Sequence, residues 1–223
     1  AAQGQAEKLA REAAGPAPGD RRTRWPWWFV LPIQPGEYRQ TVHEEVVPGQ
    51  VWCFEQLQGA INILVNVRMT VLKLKDGLLV SAPIAPTEEL IDMMRGLEAE
   101  HGPVKHIVLP TQAVEHKIFF GPFARNFKEA ALWIAPEQWS WPLPLPLSVL
   151  GLGFGRTVNV LDGTAEPEFS DEVDVAVLGP FQLNKQLGRS QFAETALFHK
   201  ASGSLLVTDT LVYVPSKPLR VTT

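Results

Sequence analysis

Apolar residues fall into short runs punctuated by Gly, Pro, Asp and charged positions, a pattern that predicts many brief strands and few helices. From Gln50 the chain reads as strands over Val51–Leu57, Ile61–Val67 after a turn at Gly59, Met69–Leu74, and Leu78–Ser81 beyond the Asp76-Gly77 pair. Asp-Gly between two apolar runs is a hairpin signal, so this part opens antiparallel. Thr87 then reads as an N-cap. Leu90, Ile91, Met94 and Leu97 mark one face of a helix that ends at His101-Gly102-Pro103. Val104–Leu109 is a strongly apolar strand, followed by a loop from Pro110 to His116, a helix over Phe123–Glu129 and a strand over Ala131–Ile134. Strands return at Val173–Leu178, Thr195–His199, Leu205–Thr208 and Leu211–Val214. No fixed-period repeat is present, and this order predicts an α/β fold with helices packed outside a pair of sheets.

Two apolar segments fall outside this periodicity. Residues 1–24 are rich in Ala, Gly and charge and read as a flexible N-terminal segment, a frayed helix followed by a linker, ahead of a single domain over 25–223. That domain opens on Trp25-Pro26-Trp27-Trp28-Phe29, whose indoles either seal the core or meet a partner or membrane surface, since Trp joins an apolar body to a polar N–H. From Trp139 to Phe154, Trp141, Leu143, Leu145 and further apolar residues alternate with Pro and Gly. The Pro–Leu alternation favours an extended polyproline-like run, which either folds back as a lid or docks on a partner or bilayer.

Composition removes several classes of function. With 223 residues, 45% apolar and 20% charged, the chain suits one large domain. A net charge of −4, with no basic cluster denser than Arg21, Arg22 and Arg24, argues against nucleic acid as a partner. Cys53 is the single cysteine, which excludes an internal disulfide and a cysteine zinc site. No uninterrupted apolar run reaches the ~18 residues of a spanning helix. No cleavable leader is read, and a start at Ala1 leaves room for an upstream segment. A Gly-x-Ser-x-Gly elbow is absent, Gly151-x-Gly153-x-Gly155 follows a Pro-rich loop rather than a strand, and Cys53 lies in a strand as an inert thiol.

Candidate chemistry gathers where the strand Val104–Leu109 runs into Pro110-Thr111-Gln112-Ala113-Val114-Glu115-His116, because α/β proteins place their sites at strand ends. The blocks Arg68-Met69-Thr70, Pro110-Thr111 with Glu115-His116-Lys117, Gly121-Pro122-Phe123-Ala124-Arg125, Pro136-Glu137-Gln138-Trp139-Ser140 and Leu206-Val207-Thr208-Asp209 occur in that order. In these blocks the chain, from Trp25 to Pro215, resembles a domain-of-unknown-function family of cyanobacteria and plastids. That family is in turn similar to the metallo-β-lactamase-like superfamily, which includes ribonuclease Z and hydroxyacylglutathione hydrolase.

The resemblance implies an αββα sandwich and a place to look for metal ligands. The superfamily follows a strand with Thr-His-x-His-x-Asp-His, which falls here on Pro110–His116. Thr111 and Ala113 take the positions of the first two histidines, Glu115 that of the aspartate, and His116 alone keeps its type. A later histidine has its nearest counterpart in Gly188-Arg189-Ser190, one residue out of register, and a guanidinium does not ligate a cation. Asp209 is the counterpart of the bridging aspartate. The implied remnant is Glu115, His116 and Asp209, enough for a single zinc, iron or manganese if any metal is held.

Each of these residues also has a structural reading: a hydrogen-bonded loop for Glu115-His116-Lys117, an Asx turn for Asp209, a satisfied core histidine for His106. Glu194 and His199 fall on opposite faces of their strand. The expectation is a degenerate sandwich without a resident cofactor, a non-catalytic binding or assembly protein with a protein partner. Its expected setting is the chloroplast, associated with thylakoids through peripheral membrane contact. Trp25, Trp27, Trp28, Trp139, Trp141, Leu143 and Leu145 are the contact candidates. The alternative is a single-metal hydrolase of an ester, thioester or phosphoester.

Overall fold

The computed structural model describes residues 19–25, 33–34, 37–60, 63–138, 155–164, 166–182, 192–212 and 216. The strands are β1 (Ile33–Gln34), β2 (Val42–Val47), β3 (Val51–Ala60), β4 (Ile63–Leu74), β5 (Gly77–Ser81), β6 (Val104–Leu109), β7 (Ala131–Ile134), β8 (Val158–Val160), β9 (Val173–Phe181), β10 (Phe192–His199) and β11 (Ser204–Leu206). The helices are α1 (Glu88–His101) and α2 (Val114–Ala124).

Eight strands form one sheet in the order β1-β3-β4-β5-β6-β7-β8, with β2 also paired to β3, and β11-β10-β9 form a second. The large sheet is antiparallel from β2 to β5 and parallel from β5 to β8. Parallel neighbours need crossovers, and α1 and α2 supply those on either side of β6.

Strand alternation sorts the side chains into two cores. Trp52, Phe54, Val67, Met69, Val71, Leu78, Val80, Ile107, Leu109, Leu132 and Ile134 pack with Leu90 and Met94 of α1 and Phe120 and Phe123 of α2. The intervening positions Leu72, Leu74, Leu79, Val108 and Trp133 face the other way and meet Val173 and Leu197 of the small sheet. A strand of a sheet covered on both faces is apolar at nearly every position, as the buried run Gly77–Ser81 is. Gly77 is obligatory: a Cβ there would stand 2.1 Å from the Pro103 carbonyl oxygen.

α1 starts and stops where its residues dictate. The Thr87 hydroxyl accepts from Leu90 N at 3.2 Å, Glu88 and Glu89 occupy the first turn, and Gly102 closes the helix at φ 94°. The second helix starts nine residues and ends five residues earlier than the expected Phe123–Glu129. Gly121-Pro122 reads as a break, yet Phe119, Phe120 and Phe123 all bury, and packing outweighs the one hydrogen bond that Pro122 cannot make. The expected loop therefore ends at Ala113, with Glu115 and His116 in the first turn of α2.

Other differences have local causes. The two expected strands after Gly59 are one strand, β4, continuous through Arg68, whose side chain pairs with Glu55 (Nε–Oε1 2.8 Å). Leu211 and Val212 are irregular and exposed rather than a strand, and the remainder of that expected strand lies outside the described residues. Ahead of Trp25, Arg21–Thr23 form a 3-10 turn that contacts α1, and Thr23 is buried. Residues 1–18 lie outside the described residues, as do Gly188–Ser190, Trp27, Trp28, Trp139, Trp141, Leu143 and Leu145. Trp25 is half-buried, its backbone N–H held by the Glu37 carbonyl at 2.6 Å. No helix among the described residues is long and apolar enough to cross a membrane.

Polar ties fasten the small sheet to the large one. His199, buried on the face of β10 opposite to Glu194, joins Ser202 Oγ (2.7 Å) and the Lys73 carbonyl (3.0 Å), while Lys75 N donates to Glu172 (2.9 Å). Burial holds the His199 imidazole below its ordinary pKa of 6.5. The unfolded chain then binds the proton more readily, so this contribution is complete above about pH 6.5 and is lost as acid carries the pH down through the folded-state value. Urea unfolding between pH 7.5 and 5 is expected to show a loss of stability on acidification that is smaller in His199→Gln; an equal loss in both proteins would remove His199 as a cause.

Candidate functional site

The parallel strands β5, β6 and β7 end side by side, and their C-terminal ends hold the candidate site. Two non-glycine residues there adopt left-handed backbone, Ala82 (φ 54°) just past β5 and Glu137 (φ 51°) past β7. Such conformations persist only where surrounding bonds impose them. Here Ala82 N donates to Val108 O (3.0 Å), and Gln112 Nε2 donates to Pro136 O (3.1 Å) and Glu137 O (2.7 Å). Gln138 Nε2 returns the tie to Thr111 O (3.0 Å) and Ala135 O (3.2 Å).

The small sheet reaches this same place. Thr195 N donates to Pro110 O at 2.7 Å, and Thr111 forms an antiparallel bridge with Glu194. The start of β10 thus extends the exit of β6. Glu194, fully buried, accepts from Thr208 N on one carboxylate oxygen (2.7 Å) and from Asp209 N and Thr210 N on the other (2.7 and 2.8 Å). Three successive backbone donors closing on one carboxylate form an anion nest with its anion built in. The nest fixes Asp209, whose Oδ2 accepts from Thr111 Oγ1 at 2.9 Å, and the same hydroxyl accepts from Ala113 N at 3.2 Å. The amide of Asp209 is spent on Glu194 and its side chain on Thr111, which replaces the Asx turn expected from sequence.

His116, on the first turn of α2, is buried, and its Nδ1 has no hydrogen-bond partner among the described residues. Burial drives its pKa down, opposed by the negative charge of Asp209, Glu115 and Glu194 nearby. Burial raises the pKa of Asp209, opposed by the Thr111 hydrogen bond and by His116. Lys117 is buried next to His116 in the chain and is pushed down to about 8 by the same loss of hydration. The structure therefore brings His116, Asp209 and Glu115 into one electrostatic neighbourhood, together with Glu194.

The fit to a metal can be tested on these donors. Among the described residues no three His, Cys, Asp or Glu side chains come together as a metal-binding group. Glu115, His116 and Asp209 thus share a neighbourhood without converging as a ligand set. The physical reasons are visible: Asp209 is turned to the Thr111 hydroxyl, and Glu194 has both oxygens occupied by backbone amides. The described residues do not form a metal-ligand set.

His106 is the satisfied core histidine that its strand implies, with Nδ1 accepting from Trp133 Nε1 (3.3 Å). Cys53 is buried beside the Thr70 hydroxyl (3.8 Å), and burial raises its pKa, away from nucleophilic use. Glu194 is the residue that sequence reading undervalued. An acidic side chain one place before an apolar strand segment, fifteen residues ahead of Asp209, carries no motif; only the pairing of β10 with β11 reveals that it caps the turn beyond β11.

The chain belongs to the DUF4336 domain-of-unknown-function family, whose model matches residues 48–223. No curated protein matches it in sequence. Among solved structures it is similar to a metallo-β-lactamase from Pontibacter korlensis, at 14% identity and TM-score 0.46, over 73% of this chain and 68% of that one. It is similar to a structure from Nostoc sp. PCC 7120 described as a diflavin flavoprotein fragment, at 8% identity and TM-score 0.49, over 76% and 66%. It is also similar to the mono-zinc form of the metallo-β-lactamase FIM-1 from Pseudomonas aeruginosa, at 10% identity and TM-score 0.42, over 70% and 63%. Likeness of this extent says nothing of metal, substrate or reaction.

Removing the Glu194 carboxylate strands three partly buried amides, each normally worth ~1–3 kcal/mol when left unmet. Glu194→Ala is expected to lose about 2–3 kcal/mol in urea unfolding and to deprotect the amides of Thr208–Thr210 in hydrogen exchange. Unchanged exchange at those three positions would show that the nest is closed by something else.

Proposed function

We propose that this domain has given up metal-dependent chemistry and serves as a binding or assembly protein. One observation carries the reading: at the position where the superfamily motif places a metal-ligating histidine, Thr111 instead ties up the carboxylate of Asp209 at 2.9 Å. The second motif histidine is replaced by Ala113, which offers no donor atom, and its backbone N–H also goes to Thr111. The alternative, a single-metal hydrolase, would require Asp209 to give up its Thr111 hydrogen bond to a metal.

The partner surface we assign lies at the far end of the β3–β4 hairpin. Leu64 (52% exposed) and Val65 (43%) stand on opposite faces of β4 near that turn, both open to solvent. β1 pairs there, with Ile33 opposite Ala60. Exposed apolar hairpin residues suit docking on a protein partner or at a membrane interface. The setting proposed is the chloroplast, in association with thylakoids; the sequence blocks shared with a cyanobacterial and plastid family support it.

Two measurements test the reading. Elemental mass spectrometry on protein purified without chelators is expected to find no stoichiometric zinc, iron or manganese. About one metal per chain, lost in His116→Ala, would overturn the non-catalytic reading and favour the hydrolase. Flotation with vesicles of galactolipid and anionic lipid is expected to carry the wild type and to leave the Trp27→Ser/Trp28→Ser double variant behind; equal partitioning would remove the membrane version and leave a protein partner.

A further inference from the structure

The open edges of the two sheets are not protected alike. Among the described residues the edge strands are β1, β2, β8, β9 and β11, and β1, β8 and β11 have only two or three residues each. β2 has six, but it exposes His43, Glu44 and Glu45 and its register shifts between Glu45 and Val47, so charge and a bulge guard it against another strand. Over Val173–Leu178 β9 has neither defence. Its register with β10 is regular there, it pairs with no other described strand, and its one charge, Asp174, is met by Lys200 Nζ at 2.9 Å in the same chain. The direction of its backbone groups can be read from its neighbours. Lys200 N donates to Glu172 O (2.9 Å), and Thr195, opposite Val177, turns its N–H away from β9 to Pro110 O (2.7 Å). Backbone groups of an antiparallel ladder alternate, so Asp174, Ala176 and Leu178 bond to β10 while Val175 and Val177 present N–H and C=O at the open edge. Val173 faces the same way, but its N–H is already given to Phe169 O (2.9 Å).

We propose that β9 pairs with β9 of a second copy of this chain, antiparallel about a two-fold axis at Ala176, so that two three-stranded sheets become one of six. Self-complementarity of the strand selects this occupant. With the axis at Ala176, Val175 of one copy stands opposite Val177 of the other, and these are the two residues whose backbone groups face the edge, so each pair exchanges two hydrogen bonds. Ala176 then meets Ala176 in the non-hydrogen-bonded position, where Cα atoms come within ~4.5 Å and a small side chain fits best. Asp174 falls opposite Leu178, so no like charges face each other. An axis at Val175 would call on Val173, whose N–H is spent, and an axis at Val177 would call on Gly179, which leaves the extended form at φ 99°. Both faces of the joined sheet remain apolar. The half-buried Val175 and Val177 continue the inner layer, and on the outer face Leu178 (40% exposed) of one copy lines up with the row Asp174, Phe198 (39%) and Leu205 (61%) of the other. This surface is separate from the β3–β4 hairpin and does not depend on whether the strand ends hold metal.

Sedimentation equilibrium of the full chain over ~1–100 µM is expected to show monomer and dimer in exchange. Val175→Pro removes an N–H that points away from β10, a change that an edge strand tolerates. It is expected to leave the far-UV circular dichroism unchanged and to raise the dissociation constant about tenfold or more. Should that variant fail to fold, Ala176→Lys on the exposed outer face serves instead. It sets two ammonium groups against each other at the axis, so a several-fold weakening that high salt partly reverses is expected. The register is read by cross-linking, for which the native Cys53 is buried. Ala176→Cys is expected to give a disulfide-linked dimer under mild oxidation and Leu178→Cys none, because the two copies of residue 178 would stand ~14 Å apart along the strands. A monomer throughout the concentration range overturns the proposal, as does a dimer that Val175→Pro and Ala176→Lys leave intact or one that links through Leu178→Cys in place of Ala176→Cys. Slow hydrogen exchange at the Val175 and Val177 amides of the monomer would show that the chain's own residues cover this edge, and would overturn it as well.

Discussion

The Glu194 carboxylate is the contact on which the arrangement of the strand ends depends. It is buried, has no cationic partner among the described residues, and is held by three backbone amides from Thr208 to Thr210. A buried charge is tolerated only where enough donors replace its water, and charge-assisted bonds to backbone N–H are the cheapest way to provide them. Because those donors follow β11 in sequence while Glu194 starts β10, the carboxylate locks the hairpin's open end. It thereby fixes where Asp209 can stand. Thr111, bridged to Glu194 and bonded to Asp209, transmits that placement to the exit of β6 and so to the first turn of α2.

This lock works because the two sheets cannot slide. Leu72, Leu74, Leu79, Val108 and Trp133 from the large sheet close on Val173 and Leu197 from the small one, and a slip of one residue would reverse every one of those side chains. At the opposite end of β10 the buried His199 bonds to Lys73 O and Ser202. The small sheet is thus pinned at both ends by polar contacts and along its middle by apolar packing. The strained turns at Ala82 and Glu137 sit on either side of the β6 exit, where this rigidity can bear the cost.

Much of the frame was legible because it rests on short-range signals. Asp76-Gly77 marked a hairpin, Thr87 and Gly102 bounded α1, and the apolar run Val104–Leu109 announced a strand whose end faces the site. The two-sheet order followed from alternating element types. The start of α2 was hidden because Gly121-Pro122 suggests an interruption, and the burial of Phe119, Phe120 and Phe123 that overrides it is a tertiary fact. At the site, residue types could be aligned to a metal-binding motif, which drew attention to Thr111, His116 and Asp209. Whether they converge on one point depends on pairings between residues as far apart as Thr111 and Asp209, and no local pattern encodes those. Glu194 went unrecognised for the same reason: its partners are backbone amides, which every sequence has.

The proposed loss of metal raises the question of what organises the strand ends in its stead. A bound cation would neutralise clustered carboxylates and hold three or four loops at fixed distances. Here each of those tasks has a replacement within the chain. Backbone amides take the charge of Glu194, the Thr111 hydroxyl takes one oxygen of Asp209, and the Gln112 and Gln138 amides cross-link the loops after β6 and β7. Every one of these replacements spends a donor that the chain itself supplies. Among the described residues the side-chain oxygens of Gln58, Gln112 and Gln138 and the Nδ1 of His116 are left buried without a hydrogen bond. A network that substitutes hydrogen bonds for a cation in this way keeps the strand ends in place without the ion.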